Sequence, residues 1–197
     1  MLQGRRPGGS AGLGGDPLEP PLAYGPVPPS PGRGLTGADT LAPMLTISSL
    51  LYEKIVAHAR ADHPDEACGV IAGPVGSDRP ERFIAMLNAE RSPTFYRFDS
   101  LEQLRVWREM DDRDEEPVVI YHSHTATEAY PSRTDISYAS EPGAHYVLVS
   151  TREPDGCEFR SFRIVDGEVT EEEVRITGGD GAAEDGPGQD VSAATAE

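Results

Sequence analysis

Residues 117–135 constrain this chain more than any other stretch. Pro117-Val-Val-Ile-Tyr121 reads as a buried strand, and it runs straight into His122-Ser-His124. Seven residues separate that motif from Ser132-x-x-Asp135. In a strand, side chains at i and i+2 share a face, so His122 and His124 leave the sheet together. Ser132 and Asp135 stand three apart, so the first turn of a helix can turn both to one side. A fold that uses this pattern must set a strand end against a helix start. Two imidazoles and one carboxylate can then hold a cation through three protein ligands. A fourth position stays open for water, as in hydrolytic sites. This donor set suits Zn²⁺, one per chain, better than Ca²⁺ or Mg²⁺. Each fragment alone has an ordinary explanation: polar residues at a strand edge, and a helix cap. A cap by itself would not need two same-face histidines delivered to it, and the joint spacing favours the metal site.

The flanking pattern predicts an α/β or α+β domain. Ser48 can cap a helix to about Ala61, with Leu51, Ile55 and Ala59 on one face. Glu66 to Ala72 reads as a short apolar strand. Gly73 to Asp78 turns the chain, and Arg82 to Leu87 is its hairpin partner. Ser100 and Gln103 suggest a capping box for a second helix, with Leu101, Leu104 and Trp107 inward. The acidic stretch Glu109–Glu116 reads as a solvated loop. A third short helix is expected from Ser132 to about Ser140, then a strand over His145–Ser150. Two last strands, Glu158–Val165 and Glu168–Ile176, flank Asp166-Gly167, a type I′ hairpin signal. The expected sheet is mixed and mostly antiparallel, with two main helices.

The ends look different. Residues 1–43 are rich in Gly and Pro and too poor in apolar side chains to offset the entropy of ordering. They are expected to be a disordered extension; Met44 opens the first patterned segment and is an alternative start. Residues 177–197 are expected to be a disordered acidic tail, which leaves 44–176 as the domain. No signal peptide or membrane-spanning run is expected. From Met44 to Ile176 there are 26 acidic and 14 basic side chains, a net charge of −12, which argues against nucleic-acid partners. Cys68 and Cys157 alone make no disulfide framework, which points to a reducing cytoplasm. Cys68 reads as a small core residue, because a thiolate there would close the metal site. His58, His63 and His145 lack ligand spacing.

The series Glu66, His122-Ser-His124, seven residues, Ser132-x-x-Asp135 resembles the JAMM (MPN-plus) metalloproteases. The likeness runs from Met44 to about Ile176. It is nearest to the short prokaryotic branch through His63–Gly73, Asn88–Arg97 and Tyr121–Asp135. It implies a deaminase-like MPN architecture, with His122, His124 and Asp135 binding zinc. It also implies Glu66 as acid/base and Ser132 as oxyanion stabiliser; taken alone, Glu66 reads as a solvated residue at a strand start. Many members carry Pro directly after the second histidine. Thr125 stands there in this chain, a departure that bears on the shape of the loop and not on the ligands.

Within that branch the resemblance implies a substrate: a ubiquitin-like sulfur-carrier protein whose C-terminal Gly-Gly bears cysteine through an amide. Arg91, Arg97 and Arg133 are candidates for binding the cysteine carboxylate. Two other readings stay open, an isopeptidase that removes ubiquitin-like modifiers from lysines and a non-catalytic MPN scaffold. A zinc nucleoside deaminase is disfavoured, because its P-C-x-x-C ligand pair is absent. The oligomeric state, monomer or dimer, stays open.

Overall fold

A computed structural model describes residues 44–178. The expected extension, and all of the expected tail beyond Gly178, lie outside the described residues. The elements are β1 (Met44–Ser48), α1 (Ser49–Asp62), β2 (Cys68–Pro74), β3 (Arg82–Met86) and α2 (Ser100–Asp112). They continue with β4 (Glu115–His124), α3 (Arg133–Tyr138), β5 (His145–Ser150), β6 (Glu158–Val165) and β7 (Glu168–Thr177). One sheet takes the order β1-β7-β6-β5-β4-β2-β3. The β1–β7 and β4–β5 pairs are parallel and the other neighbours antiparallel. Residues 44–178 are thus a mixed, mostly antiparallel α+β domain, as the sequence pattern predicts.

Each face of the sheet carries one main helix. Helix α1 is capped by Ser48, whose hydroxyl accepts from the Leu51 N–H. It buries Leu51, Ile55 and Ala59 against Ile71, Val119, Tyr121 and Val147. Full burial of one such aliphatic side chain contributes about 1.5–3 kcal/mol. Helix α2 covers the other face over Cys68, Val70, Ala72 and Met86. The Asp166-Gly167 turn has both residues at positive φ, 51° and 80°, as a type I′ hairpin requires.

Helix α2 departs from the expectation at both ends and along its face. Asp99, not Ser100, is its N-cap and accepts from the Leu101 and Glu102 N–H groups. Val106 and Met110 form the buried stripe, Trp107 is half-buried, and Leu101 is 80% exposed. Its own leucines do not decide which face turns inward; the fit of Val106 and Met110 over Cys68, Val70 and Met86 does. The acidic stretch is no loop either. Helix α2 continues to Asp112, and β4 opens at Glu115. Arg82 draws Glu109 and Glu115 to itself at 3.1 and 2.5 Å.

Strand β1 is an element the sequence pattern marked without identifying. Leu45 and Ile47 are buried and Thr46 is exposed, the alternation of a half-buried strand. It is five residues long and runs straight into a helix cap, so its period is hard to see.

Strand β4 is the spine of the site, buried without break from Val118 to His124. It pairs with β2 in a register that sets Cys68 opposite His122 and Gly69 opposite Tyr121. A Cβ on Gly69 would collide with the Tyr121 ring and the Ile84 carbonyl, so this crossing needs glycine.

Candidate metal centre

His122 and His124 come off the C-terminal end of β4 on one face, and Asp135 returns from the first turn of α3. Their reacting atoms converge. The two Nε2 atoms stand 3.2 Å apart, and each lies 3.4 Å from Asp135 Oδ2. A tetrahedral cation with ligand bonds of ~2.0–2.1 Å separates its ligand atoms by ~3.3 Å. The three donors therefore stand at the corners of a triangle that matches one face of such a tetrahedron. No other group of three or more His, Cys, Asp or Glu side chains among the described residues converges in this way.

The state of His124 is set by its neighbours. Its Nδ1 lies 2.9 Å from the Glu128 carbonyl, which can only accept, so Nδ1 carries the proton and donates. Thr127 Oγ1 adds a contact to Nδ1 at 3.1 Å. The Nε2 lone pair is left facing the other two donors, the tautomer a metal ligand needs. Burial pushes the His122 pKa down. Burial also opposes charge on His124, but its contacts with Asp135 and Glu128 outweigh that and raise its pKa. For Asp135, burial disfavours ionisation, yet the two imidazoles and Ser132 hold its carboxyl below the usual range.

Ser132 is the N-cap of α3. Its Oγ accepts from the Asp135 N–H at 3.2 Å, and its own N–H donates to Asp135 Oδ2 at 2.7 Å. This reciprocal box fixes the Asp135 carboxylate on its helix. Capping uses a lone pair of the Ser132 oxygen. The exposed hydroxyl keeps its proton for another acceptor.

Glu66 sits just before β2 and is only 4% exposed. Ser123, the middle residue of the motif, holds this approach. Its N–H donates to the Ala67 carbonyl at 2.9 Å, and its Oγ accepts from the Ala67 N–H at 2.8 Å. Extending the β2–β4 register by two residues sets Glu66 beside His124, on the face of His122 and Cys68. Burial pushes the Glu66 carboxyl up to about 7, with His124 opposing and Asp135 adding to the rise.

Thr125, where relatives often carry Pro, is buried and donates from Oγ1 to the Pro93 carbonyl at 2.9 Å. Cys68 is fully buried, and its thiol donates to the Met86 carbonyl at 3.6 Å, apart from the converging donors. Of the three arginines, Arg97 is paired with Glu90 at 2.5 Å. Arg91 and Arg133 are exposed and pair with no carboxylate among the described residues. His145 belongs elsewhere, between Glu172 and Asp78 at 2.5 and 2.7 Å. The pattern of residue types did not reveal Thr127, the Glu128 carbonyl, Asn88 or Tyr96. A backbone carbonyl leaves no signal of residue type, and the other three lie outside any ligand spacing.

Residues 48–165 match the family described as prokaryotic homologs of the JAB domain. The chain is 72% identical over 133 residues to the CysO-cysteine peptidase of Mycobacterium tuberculosis (strain ATCC 25618 / H37Rv), covering 68% of this chain and 91% of that protein. It is 31% identical over 117 residues to the desampylase of Haloferax volcanii, covering 57% of this chain and 82% of that one. Among solved structures, protein DSY2949 from Desulfitobacterium hafniense superposes with a TM-score of 0.59 at 33% identity, over 68% of this chain and 92% of that one.

Proposed function

This chain belongs to the prokaryotic homologs of the JAB domain, and we propose that it is a zinc peptidase that releases cysteine from a ubiquitin-like sulfur-carrier protein. The scissile bond is the amide between the carrier's C-terminal glycine and the cysteine nitrogen. Two observations support the reading: the convergence of His122, His124 and Asp135 at 3.2–3.4 Å, and the 72% identity to a CysO-cysteine peptidase. His122, His124 and Asp135 would hold Zn²⁺. When bound, that ion supplies Lewis acidity, lowering the pKa of a water and polarising a carbonyl oxygen.

The remaining roles fall to side chains. Glu66 takes a proton from the attacking water and returns it to the cysteine nitrogen, which leaves as a neutral amine. Burial favours the protonated form of this carboxyl, which suits it to accept the water's proton and carry it to the nitrogen. The Ser132 hydroxyl donates to the oxyanion of the tetrahedral intermediate, and one such donor is worth roughly 2.7–4 kcal/mol in comparable sites. The water oxygen ends in the carrier's C-terminal carboxyl; that group then loses the water's second proton and the released amine gains one, so the products are a carboxylate and an ammonium. Arg133, beside Ser132 and without a carboxylate partner among the described residues, is the first choice for the cysteine carboxylate, with Arg91 next. If Arg133→Ala and Arg91→Ala together leave KM unchanged, that assignment is wrong.

A cytoplasmic setting accords with the two free thiols, Cys68 and Cys157. No helix among the described residues is long and apolar enough to cross a membrane. The deciding experiment incubates the purified protein with a carrier–cysteine adduct and follows intact mass. Loss of one cysteine residue from the carrier, blocked by chelation and restored by zinc, is expected. An intact adduct with zinc bound would defeat the reading. Cleavage only of a carrier–lysine isopeptide would support the isopeptidase, and no cleavage of either the scaffold.

A further inference from the structure

Asn88 is buried and uses every hydrogen bond its amide can make. Its Nδ2 donates to the carbonyls of Glu66 at 3.0 Å and Phe95 at 3.1 Å. Its Oδ1 accepts from the N–H groups of Glu90 at 3.0 Å and Arg97 at 3.3 Å. One side chain thus ties the backbone of Glu66 to both arms of the segment 88–98. The same segment is fastened again where the Glu66 N–H donates to the Ser92 carbonyl at 2.9 Å. A residue deep in a loop with no free polar atom is holding a shape, since any lost bond would leave a buried group unpaired.

That shape presents three aromatic rings to three different elements. Phe95 meets Tyr138 of α3 with ring centroids 6.0 Å apart, and Phe98 meets Trp107 of α2 at 6.1 Å. Between them, Tyr96 lies over the His122 imidazole, with centroids 4.3 Å apart and planes 24° from parallel. This contact matters because the two histidines are held differently. His124 is oriented by the hydrogen bond its Nδ1–H donates to the Glu128 carbonyl, with Thr127 Oγ1 also in contact. No hydrogen bond among the described residues reaches His122 Nδ1; apart from the contacts of its Nε2 with His124 and Asp135, the stacked ring is the contact that orients this imidazole.

We infer that Tyr96 is the positioning residue for His122, and that Asn88 holds Tyr96 in register and couples it to Glu66. The inference rests on the proposed role of His122 as a metal ligand. A ring stack in place of a hydrogen bond fixes the plane of the imidazole while leaving both nitrogens free. Loss of an outer partner of a metal ligand typically weakens affinity by about 10–100-fold.

The test uses the full chain and zinc alone, with affinity read by competition against a chromogenic chelator. In the metal-free protein, the His122 ring protons are followed by NMR, because a proton over an aromatic face moves upfield. Wild type and Tyr96→Phe should share one zinc affinity and one upfield shift. Tyr96→Leu should lose the shift and bind zinc about 10-fold or more weakly. Asn88→Asp keeps the tyrosine but sets acceptors against two carbonyls, so it should also lose the shift and weaken zinc. Ordinary His122 proton positions in the wild type would overturn the inference without any variant, which covers the case of a Leu variant that misfolds. So would a Tyr96→Leu protein that keeps wild-type affinity, or a Tyr96→Phe protein as weak as Tyr96→Leu. A wild type that binds no zinc would sink the ligand reading itself, a result distinct from the others.

Discussion

Replacing Glu66 by Gln should end turnover and, at alkaline pH, make the metal-free protein more stable. Glu66 is 4% exposed, and burial moves the pKa of its carboxyl from 4.5 to about 7. Folding therefore favours the protonated form. That contribution is complete below 4.5 and is lost as pH rises through about 7. Each pH unit between those values is worth about 1.4 kcal/mol, so ionised Glu66 costs the folded state about 3 kcal/mol at pH 8 and above. Glutamine fills nearly the same volume and never ionises. For an ordered region of this size the gain corresponds to a rise in Tm on the order of 10 °C. The assay is denaturant unfolding of both proteins with a chelator present, from pH 4 to pH 9. Metal-free protein is required, because a dication close by would favour the charged carboxylate. The two stabilities should agree at pH 4 and separate by about 3 kcal/mol at pH 9. A gap that does not change with pH, or a Gln variant that is the less stable at high pH, would show that burial does not govern this carboxyl.

His122→Ala and His124→Ala should each abolish stoichiometric zinc, measured by elemental analysis, whereas Glu66→Gln should bind one equivalent and stay inactive. Ser132→Ala should lower kcat about 100–1,000-fold and cost about 1 kcal/mol of stability, because it removes an oxyanion donor and a helix cap together. Ser132→Asp separates the two: it restores the cap but cannot donate, so stability should recover and activity should not. If activity recovers as well, the hydroxyl has no role beyond capping. Gly69→Ala should destabilise by about 1–3 kcal/mol through overpacking against Tyr121, read by thermal melting; an unchanged Tm would mean that β2 shifts freely against β4.

Much of the fold was legible where neighbours in the chain decide it. The Ser48 cap, the Leu51–Ile55–Ala59 face and the Asp166-Gly167 turn depend on residues within a turn of one another, and they stand as the pattern predicts. Strands β5 and β6 carry their expected bounds. The inward face of helix α2 is not legible locally, because Val106 and Met110 are apolar as well as Leu101 and Leu104. The contacts with Cys68, Val70 and Met86 chose Val106 and Met110. The acidic stretch misled for a similar reason, since Arg82 is about thirty residues away in sequence and neutralises Glu109 and Glu115 only after the sheet closes.

For the site, the sequence by itself determined that His122 and His124 share a face and that Ser132 and Asp135 share a helix turn. Those are consequences of periods of two and 3.6 residues. Tertiary structure decided the rest. It brought strand and helix to a common point at 3.2–3.4 Å. Ser123 reached Ala67 across 56 residues of sequence, and Asn88 reached Glu66 across 22, so that Glu66 was buried beside His124. Tyr96 came to rest on His122. Burial, a shifted pKa and a ring stack arise only between segments that meet when the chain closes, and no local period encodes them.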